Sequence, residues 1–120
     1  MIEPANTPWL RFIMLHFHHE PFDVHAGWTL SAEGRLSAGN GALPWIVFTR
    51  DRKRLSKGFP ALQVTRIDLF APFRYILSGG LSYRAFLPQC LYSTIKCFEW
   101  LLSPFNGVLA FFQIIEIEKQ

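Results

Sequence analysis

Apolar residues recur at helical spacing behind Thr7-Pro8: Leu10, Ile13, Met14 and Phe17. Threonine followed by proline is a helix start, the hydroxyl capping the first turn and the proline filling the first helical position. The predicted helix ends near His18 or His19, because Pro21 biases Glu20 away from helical angles. Ahead of it, Met1-Ile2-Glu3-Pro4 reads as the tail of a strand whose start is absent. Residues 21–40 hold no period and are punctuated by Gly27, Gly34 and Gly39, which predicts a long loop of the kind that often carries function. Asn40 then caps a helix bearing Ala42, Leu43, Trp45, Ile46 and Phe48. The basic run Arg50-Asp51-Arg52-Lys53-Arg54 continues as a short polar helix, broken at Gly58 and Pro60.

In the second half, Ala61 to Phe70 mixes Val, Ile, Leu and Thr with polar residues, as an edge strand does. Phe73 to Leu77 predicts a helical turn broken by Gly79-Gly80. Pro88 opens a long helix in which Leu91, Ile95, Phe98 and Leu102 form an apolar stripe. Ser103-Pro104 kinks or restarts it, and Asn106-Gly107 weakens it further. Phe111 to Glu118 begins with apolar groups on both faces, which predicts an interior strand. Strand stub, helix, long loop, helices, strand, long helix, strand is the order of half a doubly wound α/β domain.

Composition narrows this. With 120 residues, half of them hydrophobic and 18% charged, the chain suits one small folded domain. Its net charge of +3 is too slight to indicate nucleic acid, and none is expected as a partner. The basic run reads as a solvated helix face. Cys90 and Cys97 lie seven residues apart in one helical segment. That spacing is about 10 Å along the axis, too far for a disulfide. Reduced thiols and the lack of a signal-like N-terminus lead to an expected cytoplasmic location. The longest uncharged run, Trp100 to Ile115, is 16 residues and contains Pro104, Asn106 and Gly107, so a spanning helix is not expected. His16, His18, His19, His25 and Glu20 cluster in sequence, but their spacing matches no strong metal motif and no metal is expected.

Several blocks resemble one family. Glu3-Pro4 with Thr7-Pro8-Trp9, the run His16-Phe17-His18-His19-Glu20-Pro21-Phe22-Asp23, the stretch from Gly39 to Phe48, the stretch from Pro72 to Gly80, and Glu99 to Pro104 resemble the C-terminal part of bacterial class I S-adenosylmethionine-dependent methyltransferases. The resemblance implies an α/β fold: a partial Rossmann-like methyltransferase fold with a terminal antiparallel strand pair packed against helices. Residues 1–120 would be a single incomplete domain, the C-terminal half of a methyltransferase domain, with 21–40 its long loop. S-adenosylmethionine would be the cofactor of full-length relatives. No Gly-x-Gly-x-Gly segment follows a strand here, so no cofactor is expected for this chain alone. The chain would be a truncated fragment or a mis-called start, inactive by itself, supplying the side of the pocket that meets a small-molecule acceptor.

Glu3, His18, His19, Glu20, Arg74 and Tyr75 are the candidate substrate-side residues. Glu3 ends a strand where open α/β sheets place ligands. A histidine of the pair His18 and His19 would serve as general base, beside Glu20. Arg74 and Tyr75 would recognise an anionic or aromatic acceptor. The competing reading makes Arg74 a solvated cation and packs Tyr75 on the sheet. The alternative function, from the greasy segment Phe86 to Ile115 and the positive charge, is a small membrane-surface or interaction protein. Peripheral membrane contact and a homodimer through the exposed sheet edge are the assembly expectations.

Overall fold

The structure is a computed structural model that describes residues 1–18, 20–29, 39–71, 73–79, 84–85 and 88–120. Strand β1 (Ile2–Pro4) leads into helix α1 (Pro8–Phe17). The entry is fixed by Thr7, which is almost fully buried. Its Oγ1 accepts the Leu10 N–H at 3.1 Å and donates to the Ala110 carbonyl at 2.5 Å. One hydroxyl thus caps α1 and ties it to the chain just before the last strand. Replacing Thr7 by Val keeps the volume and leaves both groups unpaired. The expected cost is about 1–3 kcal/mol, read as a lowered urea midpoint.

Helix α2 (Leu43–Trp45) runs into a π-turn over Ile46–Arg50 and then helix α3 (Arg52–Gly58). Asn40 does not cap α2, whose N-cap is Ala42. It sits two residues ahead, where its Oδ1 accepts the Ala42 and Asp23 N–H groups at 3.0 and 2.9 Å and ties the turn to the 23 region. Strand β2 (Leu62–Phe70), helices α4 (Phe73–Leu77), α5 (Tyr92–Leu102) and α6 (Asn106–Leu109), and strand β3 (Phe112–Lys119) complete the order. Ser103–Phe105 forms a single 3₁₀ turn between α5 and α6, the break that Ser103-Pro104 announces.

The sheet has three strands in the order β1-β3-β2. Both pairings are antiparallel, with Glu3 opposite Gln113 and Ile67 opposite Ile115. β3 is therefore the interior strand and β2 an edge, as their residue patterns predict. Gln113 is buried in β3 and its amide donates to the Pro4 carbonyl at 3.1 Å, holding the short β1 in place. One core cluster joins Leu10, Ile13 and Met14 of α1 to Ala71 and Phe111. A second joins Leu55 of α3 to Val64 and Ile115, with Trp28, Val47 and Phe48 against it.

This topology corrects the methyltransferase reading. A Rossmann-like fold is built on adjacent parallel strands, each pair needing a crossover of a dozen residues or more. Among the described residues every hydrogen-bonded strand pair is antiparallel and the sheet is open on both sides. The partial Rossmann-like class, the fragment of a methyltransferase and the function drawn from them do not stand. The physical reason is that the resembling blocks are local devices. Thr7-Pro8 starts a helix and Gly79-Gly80 breaks one in any fold that needs a helix end there. The alternative of a membrane-surface protein gains no support from the structure either. Among the described residues no helix is long and apolar enough to cross a membrane. The α5 segment also lacks the basic polar face of an interfacial helix, carrying only Lys96 and Glu99 as charges.

Candidate functional site

Helix α5 is where sequence and packing part company. The stripe Leu91, Ile95, Phe98 and Leu102 predicts a buried face, yet α5 contains no buried residue. Ile95, Glu99 and Leu102 are half-buried, and α5 packs against α4, where Glu99 meets Arg74. Leu91 and Phe98 fall on the flank and are exposed. In the 3₁₀ turn that follows α5 and in α6, Phe105 and Val108 are exposed as well, so that exposed apolar residues recur from Leu91 through Phe98 and Leu101 to Val108. Phe98 is 60% exposed, Leu101 61% and Phe105 60%, so the ridge stands in water along its length.

On the other flank of α5 lies a cleft of about 300 Å³, bounded by the end of β2, α4 and α6. Phe70 and Ala71 form its apolar side, and Arg74, Lys96, Glu99, Trp100, Ser103 and Asn106 line the rest. Glu99 organises it. Its Oε1 accepts the Arg74 backbone N–H at 2.8 Å and its Oε2 accepts Arg74 Nε at 2.6 Å. Arg74 Nη1 donates to the Tyr92 hydroxyl at 2.9 Å, and the guanidinium lies 5.1 Å from the centre of the Tyr92 ring. Partial burial pulls the Arg74 pKa down, but the Glu99 carboxylate outweighs it and the net shift is upward. The pair fixes α4 to α5 across 25 residues of sequence. Glu99→Gln removes the charge and leaves Arg74 partly desolvated. The expected result is a loosened α4, read as faster amide exchange at Phe73–Leu77 with little change in α1.

The sequence-derived site residues do not converge here. Arg74 lines the cleft, engaged rather than solvated. Tyr75 is not among the residues lining that cleft; its ring packs edge-on to Phe112 at 5.2 Å, the sheet-packing alternative. Glu3 sits in β1 opposite Gln113. His18 terminates α1 and its Nδ1 accepts the Glu20 N–H at 3.2 Å, a local turn. His19 lies outside the described residues. Among the described residues no three His, Cys, Asp or Glu side chains come together as metal ligands would. Glu99, Lys96, Asn106 and Trp100 went unselected, because only the fold brings them to Arg74.

The cations of the basic run are exposed, as expected of a solvated face, but several of them also make contacts within the chain. Arg50 grips Asp51 through two bonds, Nε to Oδ1 at 2.9 Å and Nη2 to Oδ2 at 2.7 Å. Arg50 Nη1 also donates to the carbonyls of Val24 and Ala26. Asp51 accepts Trp28 Nε1 at 2.9 Å, and Arg54 stacks 4.7 Å above the Trp28 ring. Arg52 donates to the Val64 carbonyl on β2. The hydrogen bonds from Arg50 and then Trp28 hold the Asp51 carboxyl at about 2, below its ordinary 3.8. A depressed acid stabilises the fold where it is ionised. The contribution is full above the ordinary carboxylate value and disappears as pH falls through about 2. Trp28 fluorescence should therefore report release of the 23–28 loop in acid, and Asp51→Asn should bring that release to neutral pH.

No family model, curated protein or solved structure shows a significant match to the chain.

Proposed function

We propose that this chain works as a homodimer, pairing α5 and α6 with the same helices of a second copy. The observation that carries this is an eleven-residue helix with no buried side chain, with large apolar residues exposed on it and on the turn and short helix that follow. Two further quantities support it. The chain exposes 8518 Å² at a mass of 13.9 kDa. A folded monomer of that mass exposes about 6,700 Å². The radius of gyration is 15.9 Å, where about 13.6 Å is usual for a compact chain of this length. The excess is larger than the roughly 800 Å² per partner that a standard protein interface covers.

A second copy suits the ridge because nothing on it repels itself. Leu91, Thr94, Phe98, Leu101, Phe105 and Val108 are all uncharged, and the two charges of α5, Lys96 and Glu99, are opposite in sign and face the cleft. The helices, rather than the sheet edge, are the better surface. Edge strand β2 is bulged between Val64 and Arg66 and carries the Arg66–Asp68 ion pair. Its Val64 and Leu69 carbonyls already accept side-chain bonds from Arg52 and Asn106. Such features blunt an edge against further strands.

Hydrogen exchange at two protein concentrations tests the location. Amides of Tyr92–Leu109 should gain protection as concentration rises, while those of β2 do not. Concentration-independent exchange throughout α5 and α6 would remove the proposal.

A further inference from the structure

The geometry points to a second site: we propose that the cleft between α4, α5 and the end of β2 binds a small aromatic carboxylate. The argument starts from charge. Both oxygens of Glu99 are occupied by Arg74, so the only carboxylate lining the cleft among the described residues is neutralised where it stands. Lys96 has no carboxylate partner among the described residues, and the cleft keeps one uncompensated positive charge. Lys96 and Trp100 are four residues apart on α5, so ammonium and indole flank the same opening. The indole is 74% exposed although it lines a cavity, a cost that a stacked ring would remove. Phe70 and Ala71 give the opposite side an apolar surface.

The ligand class follows from these elements. A planar ring fits between Trp100 and the Phe70 side, and its carboxylate reaches the Lys96 ammonium with the Ser103 hydroxyl beside it. The Arg74–Glu99 pair, held also by the Tyr92 hydroxyl, forms a fixed wall with no net charge and leaves Lys96 as the cation that meets the carboxylate. A volume of about 300 Å³ is at the small end of ligand sites and suits one or two fused rings. The amide of Asn106 is already spent on the Leu69 carbonyl at 2.9 Å, which steadies that wall. Trp100 lies on the flank of α5 away from the ridge, so this site and the dimer contact can be tested apart.

The test is an amide-resolved NMR titration of the full chain with indole-3-acetate, run beside indole-3-acetamide and inorganic phosphate. Indole-3-acetate should saturate, with its shifts centred on Arg74, Lys96, Trp100 and Asn106. The uncharged amide should bind at least about tenfold more weakly, since it lacks the charge-assisted contact. Lys96→Met should weaken the acid by a similar factor while leaving the circular dichroism unchanged, and Trp100→Ala should abolish saturation. Equal affinity for acid and amide, binding of phosphate alone, or an unaltered titration of Lys96→Met would overturn the assignment. Binding that survives in monomeric ridge variants separates this site from the proposed dimer.

Discussion

Phe98→Glu combined with Leu101→Glu should leave a folded monomer. Both side chains are more than half exposed in the isolated chain, so the substitutions cost the single copy little. In a dimer they would lie on the seam, where each copy would bring two carboxylates against two others with no cation to meet them. Taking a charge out of water without a partner costs several kcal/mol per ion. Dissociation should therefore strengthen by at least about a thousandfold, beyond any concentration normally reached. Light scattering after size exclusion reads the mass, and the urea midpoint of the dilute protein shows that the fold is intact. A variant that remains paired would mean that the ridge is not the contact.

The largest effect on stability should come from Phe111→Ala. Phe111 is 2% exposed and meets Trp9 of α1 and Phe73 of α4 edge-on, at 6.2 and 6.1 Å. Its backbone closes the same region. The N–H donates to Phe70 at 3.1 Å and the carbonyl accepts Ala5 N–H at 2.9 Å. One residue thus joins α1, α4 and both outer strands at the head of β3. Truncation removes a ring from a site walled by backbone that cannot collapse around it, and the cost expected is about 3–5 kcal/mol. A small domain holds only about 5–15 kcal/mol in total, so much of its margin disappears. Phe98→Ala is the matched control. The same chemical change on the ridge should move the midpoint of the dilute monomer by less than about 0.5 kcal/mol.

What the sequence discloses and what it withholds divide along a physical line. Features written in adjacent residues were legible. Thr7-Pro8 starts α1, β2 and β3 lie where branched and aromatic residues collect, and Ser103-Pro104 breaks α5. Features that depend on distant residues were not. Arg74 finds Glu99 across 25 positions and Asp51 finds Trp28 across 23. No spacing rule connects such residues before the fold exists. Helix α5 shows the limit most sharply. An apolar stripe tells that a face wants cover, but not whether this chain supplies the cover, and here the described residues leave α5 without a buried side chain. The fold class went astray for a related reason. A cap, a glycine break and a proline stop specify element ends, whereas the choice between parallel and antiparallel pairing rests on long-range register.

Sedimentation equilibrium of the unmodified chain over a hundredfold range of concentration tests the dimer most directly. The expected mass rises from 13.9 kDa toward twice that value, about 28 kDa, across micromolar concentrations. A single species holding at 13.9 kDa into the hundreds of micromolar would contradict it.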